Sequence, residues 1–210
     1  PATPGAPAAP PAQPAPPAPS QPEQPAPEEP IVAIGTTDWG FRASFRSYVF
    51  NGNGRPPISV AAGATCDTDP PSTKGGCPAD VPFAFSAVAG DYDPATGAGV
   101  VEHRGTVTFD YPGHFFRLAL RDPTFTITST TVTVNARVTL DSTLAGTPSA
   151  DGRVDLGSFP LDGAPVVAGR RLTLRTAAGE LSTAAAGLLG SFLQAGAELD
   201  PITLSADVVD

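Results

Sequence analysis

The chain has no methionine, two cysteines, two histidines, one lysine and one tryptophan in 210 residues. It contains no run of Lys or Arg, and its formal charge is −9, so nucleic acid and anionic membrane surfaces are poor partners for it. No apolar stretch is long enough to cross a bilayer as a helix. No secretory leader or sorting motif is visible either, and targeting and anchoring elements are expected to lie outside this chain or to have been removed. Two histidines leave little for acid–base chemistry. Nucleophile elbow, P-loop, dinucleotide fingerprint and HExxH motifs are all missing, so no enzyme is expected.

Proline, by contrast, is abundant and unevenly placed. Thirteen of the 26 prolines fall in the first thirty residues, together with eight alanines, Glu23, Glu28 and Glu29. Such a segment cannot bury enough apolar surface to fold and favours polyproline II, so residues 1–30 read as a disordered, extended linker. Residues 31–210 then supply one domain's worth of chain.

Cys66 and Cys77 flank a loop of Asp, Thr, Pro, Ser, Lys and Gly with no hydrophobic side chain to pin it to a core. A disulfide would close it, at a gain of roughly 3 kcal/mol on the chain-entropy account. Zinc would need further Cys or His nearby, and none occurs. A secreted protein in an oxidising compartment is the expectation.

The folded part reads as strands. Alternation of period two runs through Val100–Phe109, Phe115–Leu120 and Thr124–Ile127, and continues at Val132, Val134, Ala136, Val138 and Leu140. Arg171–Arg175 and Ile202–Val208 add two more strands. Turn chemistry marks reversals at residues 91–97, Gly146–Pro148 and Asp162-Gly163, and Asn51-Gly52-Asn53-Gly54 has the composition of a hairpin turn. The predicted fold is mainly β, an antiparallel sandwich-like or curled sheet. One helix breaks the pattern, with apolar positions at Leu181, Ala185, Leu188, Phe192 and Ala195, Ser182 or Thr183 as N-cap and Gly196 as the stop. Gly187 and Gly190 weaken that helix and suggest that a packed strand or a flat ligand comes close to its backbone. Asp91 and Asp93 resemble the start of a calcium loop, but Ala95 stands where the third ligand belongs, and a turn is the expected role.

Two stretches stand out from this background: Trp39-Gly40-Phe41-Arg42-Ala43-Ser44-Phe45-Arg46-Ser47-Tyr48, and Tyr111-Pro112-Gly113-His114. With the Gly105–Phe109 strand, Asp122-Pro123 and the terminal run from Phe192 through Gly196 to Leu199-Asp200-Pro201, they resemble, in the same order, the HtaA domain, a haem-binding module of actinobacterial haem uptake. The resemblance covers nearly all of residues 34–209. It implies a cell-envelope protein in which Tyr48 gives a phenolate to ferric haem b, His114 hydrogen-bonds that oxygen, and Ser44 holds a haem propionate. Haem would come from host haem proteins or other envelope carriers and be relayed to a lipoprotein and transporter. The chain departs from the family pattern at Phe115-Phe116 and Phe192-Leu193, substitutions that make the pocket more apolar.

The residues themselves fit those roles. Ser44 and Tyr48 share a face in a strand or a helix alike. A strand is expected before the Asn-Gly turn, and it would bring Arg46 to the same face to pair with a propionate. In an extended segment His114 has the parity of Phe116, Leu118 and Leu120 and points to the buried side, where Tyr48 is its proposed partner. Without the family, Tyr48 is more simply a core-edge aromatic and His114 a turn residue. Tyr111 is the rival ligand, Trp39 and Phe192 are candidate porphyrin contacts, and His103 is expected on the solvent side of its strand. The competing function is an envelope β-module for adhesion or spacing, with no haem.

Overall fold

The structure, a computed structural model, describes residues 31–190 and 192–209; the Pro/Ala-rich stretch expected to be a linker lies outside them. Among the described residues, fourteen strands form one curled antiparallel sheet. In chain order they are β1 (Ile31–Trp39), β2 (Ile58–Ala61), β3 (Ala64–Cys66), β4 (Phe83–Asp93), β5 (Ala98–Arg104), β6 (Thr106–Tyr111), β7 (Phe116–Ile127), β8 (Thr131–Ser142), β9 (Ala150–Pro160), β10 (Val166–Ala168), β11 (Arg171–Arg175), β12 (Gly179–Leu181), β13 (Glu198–Leu199) and β14 (Ile202–Val209). Helix α1 (Ala43–Phe50), a 3-10 turn at Pro112–His114 and helix α2 (Thr183–Leu189) complete it. The sheet runs β10-β11-β14-β1-β4-β5-β7-β8-β9-β12-β13, with β2 and β6 branching from β7 and β3 pairing β4.

The alternation read from sequence is the alternation of burial. Val132, Val134, Ala136, Val138 and Leu140 of β8 all face inward. Phe116, Leu118, Leu120, Phe125 and Ile127 do so along β7. At the centre, Trp39 meets Phe41, Phe125 and Phe159 edge-on, at centroid distances of 5.7, 6.4 and 5.9 Å, the arrangement that ring quadrupoles favour.

One expected strand is two. Residues 100–109 bend at Gly105 (φ +151°), where a Cβ would lie 2.8 Å from both the Ala64 Cβ and a Phe85 ring carbon, so only glycine fits. Opposite it β7 bulges between Arg121 and Thr124. The Gly105 amide donates to Asp122 Oδ1 and the Asp122 amide to the Gly105 carbonyl, at 3.1 and 2.8 Å. Beyond this corner β5 continues to β4 while β6 turns to pair with β2. The branch β2–β6 is what packs against α1.

Three local expectations change. Asn51–Gly54 is not a hairpin turn, because the segment before it is helix α1 rather than a strand. Helix α2 starts as expected, with the Ser182 hydroxyl accepting from the Ala185 amide, but stops at Gly190 instead of Gly196. Gly190 has φ +63° and abuts the Thr147 side chain, whereas Gly187 faces open space, so α2 packs on β8 and β9 and no strand backbone presses on Gly187. His103 is not on the solvent side: it is 3% exposed, its Nε2 lies 2.7 Å from the Thr37 hydroxyl, and its ring meets Phe125 at 4.8 Å. It has the parity of Val101, Val107 and Phe109, all buried, so the alternation itself turns it inward, and a histidine with no motif around it is here a core residue. The expected bond between Cys66 and Cys77 is present, with Cα atoms 5.9 Å apart.

Candidate functional site

Helix α1 is short and its N-cap position holds Arg42, which makes no side-chain cap. The missing acceptor comes from the other end of the chain. Asp200 Oδ1 accepts from the Ala43 amide at 2.8 Å, the Asp200 amide donates to the Phe41 carbonyl at 2.8 Å, and Trp39 Nε1 donates to the Asp200 carbonyl at 3.1 Å. Asp200 Oδ2 forms an ion pair with Arg46. These bonds over-determine the reversal into the helix, where Phe41 holds the left-handed φ of +64° that a bulky residue rarely adopts. At the far end Lys74 Nζ donates to the carbonyls of Phe50 and Gly52, at 2.5 and 2.9 Å, where unpaired carbonyls and the helix dipole favour a cation. Lys74 belongs to the disulfide-closed loop, so that loop braces α1.

Because the segment is a helix, Ser44 and Tyr48 still share a face while Arg46 does not. Phe45, Arg46 and Val49 are buried and Ser44 and Tyr48 are exposed. Arg46 spends its guanidinium on Asp200, the Gly40 carbonyl (2.6 Å) and the Ala79 carbonyl (2.9 Å). It is a brace for α1, not a group that a ligand could reach.

The 3-10 turn carries His114 to Tyr48. The Gly113 amide donates to Asn53 Oδ1 at 2.7 Å, and Gly52 lies so close to Tyr111 that a Cβ would stand 2.6 Å from its ring. The Asn-Gly segment thus anchors the turn. His114 is exposed rather than inward, since the turn interrupts the extended parity; its ring stacks on Tyr111 at 4.3 Å, and its Nδ1 is hydrogen-bonded to the Tyr48 hydroxyl. Tyr48 is 38% exposed and also faces Tyr111, at 5.1 Å. Loss of water around its ring, and then the neighbouring Tyr111, push its phenol above the ordinary tyrosine value. At neutral pH the free protein therefore holds this group as a phenol.

Tyr48 opens on a cleft of about 300 Å³ lined by Arg42, Ser44, Phe45, Tyr48, Phe192 and Leu193. A second cleft of about 480 Å³ adjoins it, lined by Arg42 and residues 192–197. Both lie within the size range of ligand sites, about 300–1,000 Å³. Phe192 leans on Phe116 with centroids 4.3 Å apart, which fixes the apolar wall. Among the described residues no cluster of three or more His, Cys, Asp or Glu could hold a bare metal ion. One phenol at a cleft with an apolar wall suits a ligand that brings its own equatorial donors.

The sequence profile of the HtaA family matches residues 34–205. The chain belongs to the HtaA family. Among solved structures it is similar to the C-terminal domain of HtaA from Corynebacterium glutamicum, with a TM-score of 0.68, 20% identity, and coverage of 86% of this chain and 99% of that one. It is similar also to the heme binding protein HtaB of the same organism, with a TM-score of 0.66, 18% identity, and coverage of 85% and 95%. The N-terminal domain of HtaA matches with a TM-score of 0.59 at 19% identity, over 85% and 99% of the two chains. A search of curated proteins finds no significant match.

In this HtaA domain the structure brings Tyr48, His114, Ser44 and Phe192 together and sets Arg46 and Trp39 apart. Trp39 is 1% exposed and packed among core aromatics, so it contacts no ligand in the cleft. Tyr111 serves as the platform on which His114 stacks. Arg42 lines the cleft without having been singled out in the sequence, and Leu193, noted there as a departure from the family pattern, lines it too. Arg42 could have been found from the helix reading, since it precedes α1 directly and shares the ligand side with Ser44. Asp200 lay within the recognised Leu199-Asp200-Pro201 motif, but its service to a helix 157 residues away in sequence has no local signal.

Proposed function

We propose that this domain captures ferric haem, with Tyr48 as axial ligand through its phenolate oxygen, and passes the haem on within a cell-envelope uptake route. The observation that carries this reading is the Tyr48 hydroxyl hydrogen-bonded to His114, with Tyr48 lining a cleft that Phe45, Phe192 and Leu193 wall on one side. Membership of the HtaA family and likeness to a haem-binding protein, HtaB, support it.

The chemistry follows from the pair. A phenol raised above its usual pKa is a poor ligand until iron(III) draws off its proton, as bound metals do with water and thiols. His114 Nδ1 stands where that proton goes, and the ring can then donate back to the phenolate oxygen, orienting it and tempering its charge. A hard phenolate prefers iron(III) to iron(II), so reduction loosens the site, as a carrier requires. Exposure of both side chains allows haem to enter and leave without opening the core. The Cys66–Cys77 bond supports an oxidising, extracytoplasmic location. We assign the domain no catalytic step.

Titration of the apo-protein with ferric haem, read by visible spectroscopy, tests this with wild type and Tyr48→Phe side by side. Wild type should saturate with a high-spin, tyrosinate-type spectrum. The variant keeps the ring and loses that spectrum, and His114→Ala keeps binding with a shifted spectrum. Equal binding and equal spectra for wild type and Tyr48→Phe would move the ligand elsewhere, with Tyr111 next; absence of binding by wild type would leave an envelope module for adhesion or spacing.

A further inference from the structure

Among the described residues, Arg42 is the one charged side chain lining either of the two adjoining clefts. Its guanidinium is held rather than loose: Nε donates to Ser44 Oγ at 2.7 Å and Nη1 to the Glu198 carbonyl at 3.1 Å. Both partners are neutral. Among the described residues the ion pairs join Arg46 to Asp200, Arg137 to Asp151 and Arg171 to Asp207, so no carboxylate forms an ion pair with Arg42. This happens in a chain of net charge −9, where acidic neighbours are plentiful. A positioned guanidinium without an ion-pair partner, shared by the linings of two adjoining clefts, is a site for an anion, and its planar fork matches a carboxylate.

We propose that Arg42, presented by its bonds to Ser44 and the Glu198 carbonyl, binds a propionate carboxylate of the porphyrin, so that the domain selects porphyrins carrying free acid groups. The inference rests on the haem reading of Tyr48 and His114 and adds the side chain that recognises the periphery of the same ligand. Arg42 lines both clefts and Tyr48 the first of them, together with Phe45, Phe192 and Leu193, so a porphyrin held at Tyr48 would have Arg42 in the same cleft. Ser44, already bonded to Arg42, can share the same carboxylate through its hydroxyl. Arg42 is a binding residue for ligand specificity, and it replaces Arg46 in the role that a strand geometry would have given the latter.

The test compares ferric haem with its propionate dimethyl ester on wild type, Arg42→Gln and Arg42→Lys. A charge-assisted hydrogen bond exchanged against water should be worth about tenfold in affinity at a partly exposed position. Wild type should bind the diacid about tenfold more tightly than the diester. Arg42→Gln should lose that preference, with diacid affinity falling about tenfold more than diester affinity, and Arg42→Lys should keep part of it. Equal loss of both ligands in Arg42→Gln, or wild type that does not distinguish diacid from diester, would overturn the clamp while leaving the Tyr48 reading standing. Wild type that binds neither porphyrin would overturn both.

Discussion

Asp200 is where the ligand-bearing helix can be broken without touching the ligand side. Asp200→Ala removes the acceptor for the Ala43 amide and the partner of Arg46, which is 4% exposed. Loss of a helix N-terminal acceptor costs about 1 kcal/mol, and removing one member of a buried pair costs roughly 3–5 kcal/mol because the other charge stays behind. Two features place this case at the low end: the Asp200 side chain is 22% exposed, and Arg46 keeps the Gly40 and Ala79 carbonyls. A loss of about 3 kcal/mol is expected, equivalent to roughly 6–12 °C in Tm for a domain of this size. Asp200→Asn keeps an acceptor for the Ala43 amide and should lose less. Equilibrium unfolding in urea measures each variant, and Arg46→Met combined with Asp200→Ala completes a double-mutant cycle. The double variant should be more stable than the sum of the singles implies by at least about 1 kcal/mol, since it leaves no buried charge. Strict additivity, or a cost for Asp200→Ala below about 1 kcal/mol, would refute the dependence of α1 on Asp200. Haem affinity should fall with the helix, because Arg42, Ser44 and Tyr48 all ride on it.

Acid should destabilise the domain through His103. Burial pushes its pKa down to about 4; the Val101 and Pro123 backbones pull weakly the other way, although neither meets Nδ1 in good hydrogen-bond geometry. The unfolded chain takes up this proton below about 6.5 and the folded one only below about 4, so the unfolded state binds more protons in between. Stability should therefore drop as pH falls from 6.5 to 4, by up to roughly 3 kcal/mol. His103→Gln should flatten that limb of a pH–urea series; an unchanged slope would mean that other groups set it. Replacing both Cys66 and Cys77 by serine should cost roughly 3 kcal/mol and loosen the Lys74 contacts at the end of α1, seen as faster amide exchange at Asn51 and Gly52, whose amides bond to the Ser47 and Val49 carbonyls. Stability lost with no change in that exchange would separate the loop from the helix.

The strands were legible because their signal is local. A half-buried strand writes its burial into every second residue, so β8, β11 and β14 could be placed from the sequence nearly to their ends, and β7 as two pieces, Phe115–Leu120 and Thr124–Ile127, on either side of its bulge. The corner at Gly105 and Asp122 was hidden because it depends on two segments meeting, and a glycine in an alternating run says only that a bulge or bend is allowed there. His103 was misplaced for a different reason: it shares the parity of the buried Val101, Val107 and Phe109, but a histidine without a motif around it was read as a surface residue.

The site shows more sharply what local reading can and cannot reach. Tyr48 and Ser44 stay on one face whether the backbone repeats every two residues or every 3.6, so their pairing survived a wrong assignment of secondary structure. Arg46 did not, since a separation of two from Ser44 means the same face in a strand and nearly the opposite one in a helix. What decides between them is Asp200, which supplies the helix start that Arg42 cannot. That interaction both creates α1 and turns Arg46 inward, and by doing so it leaves Arg42 as the cation on the ligand side. A domain in which Asp200 no longer bonds the Ala43 amide should thus lose selectivity for the porphyrin's acid groups along with stability. Measuring diacid against diester binding in Asp200→Ala, alongside its urea midpoint, would show whether the two are linked as the geometry requires.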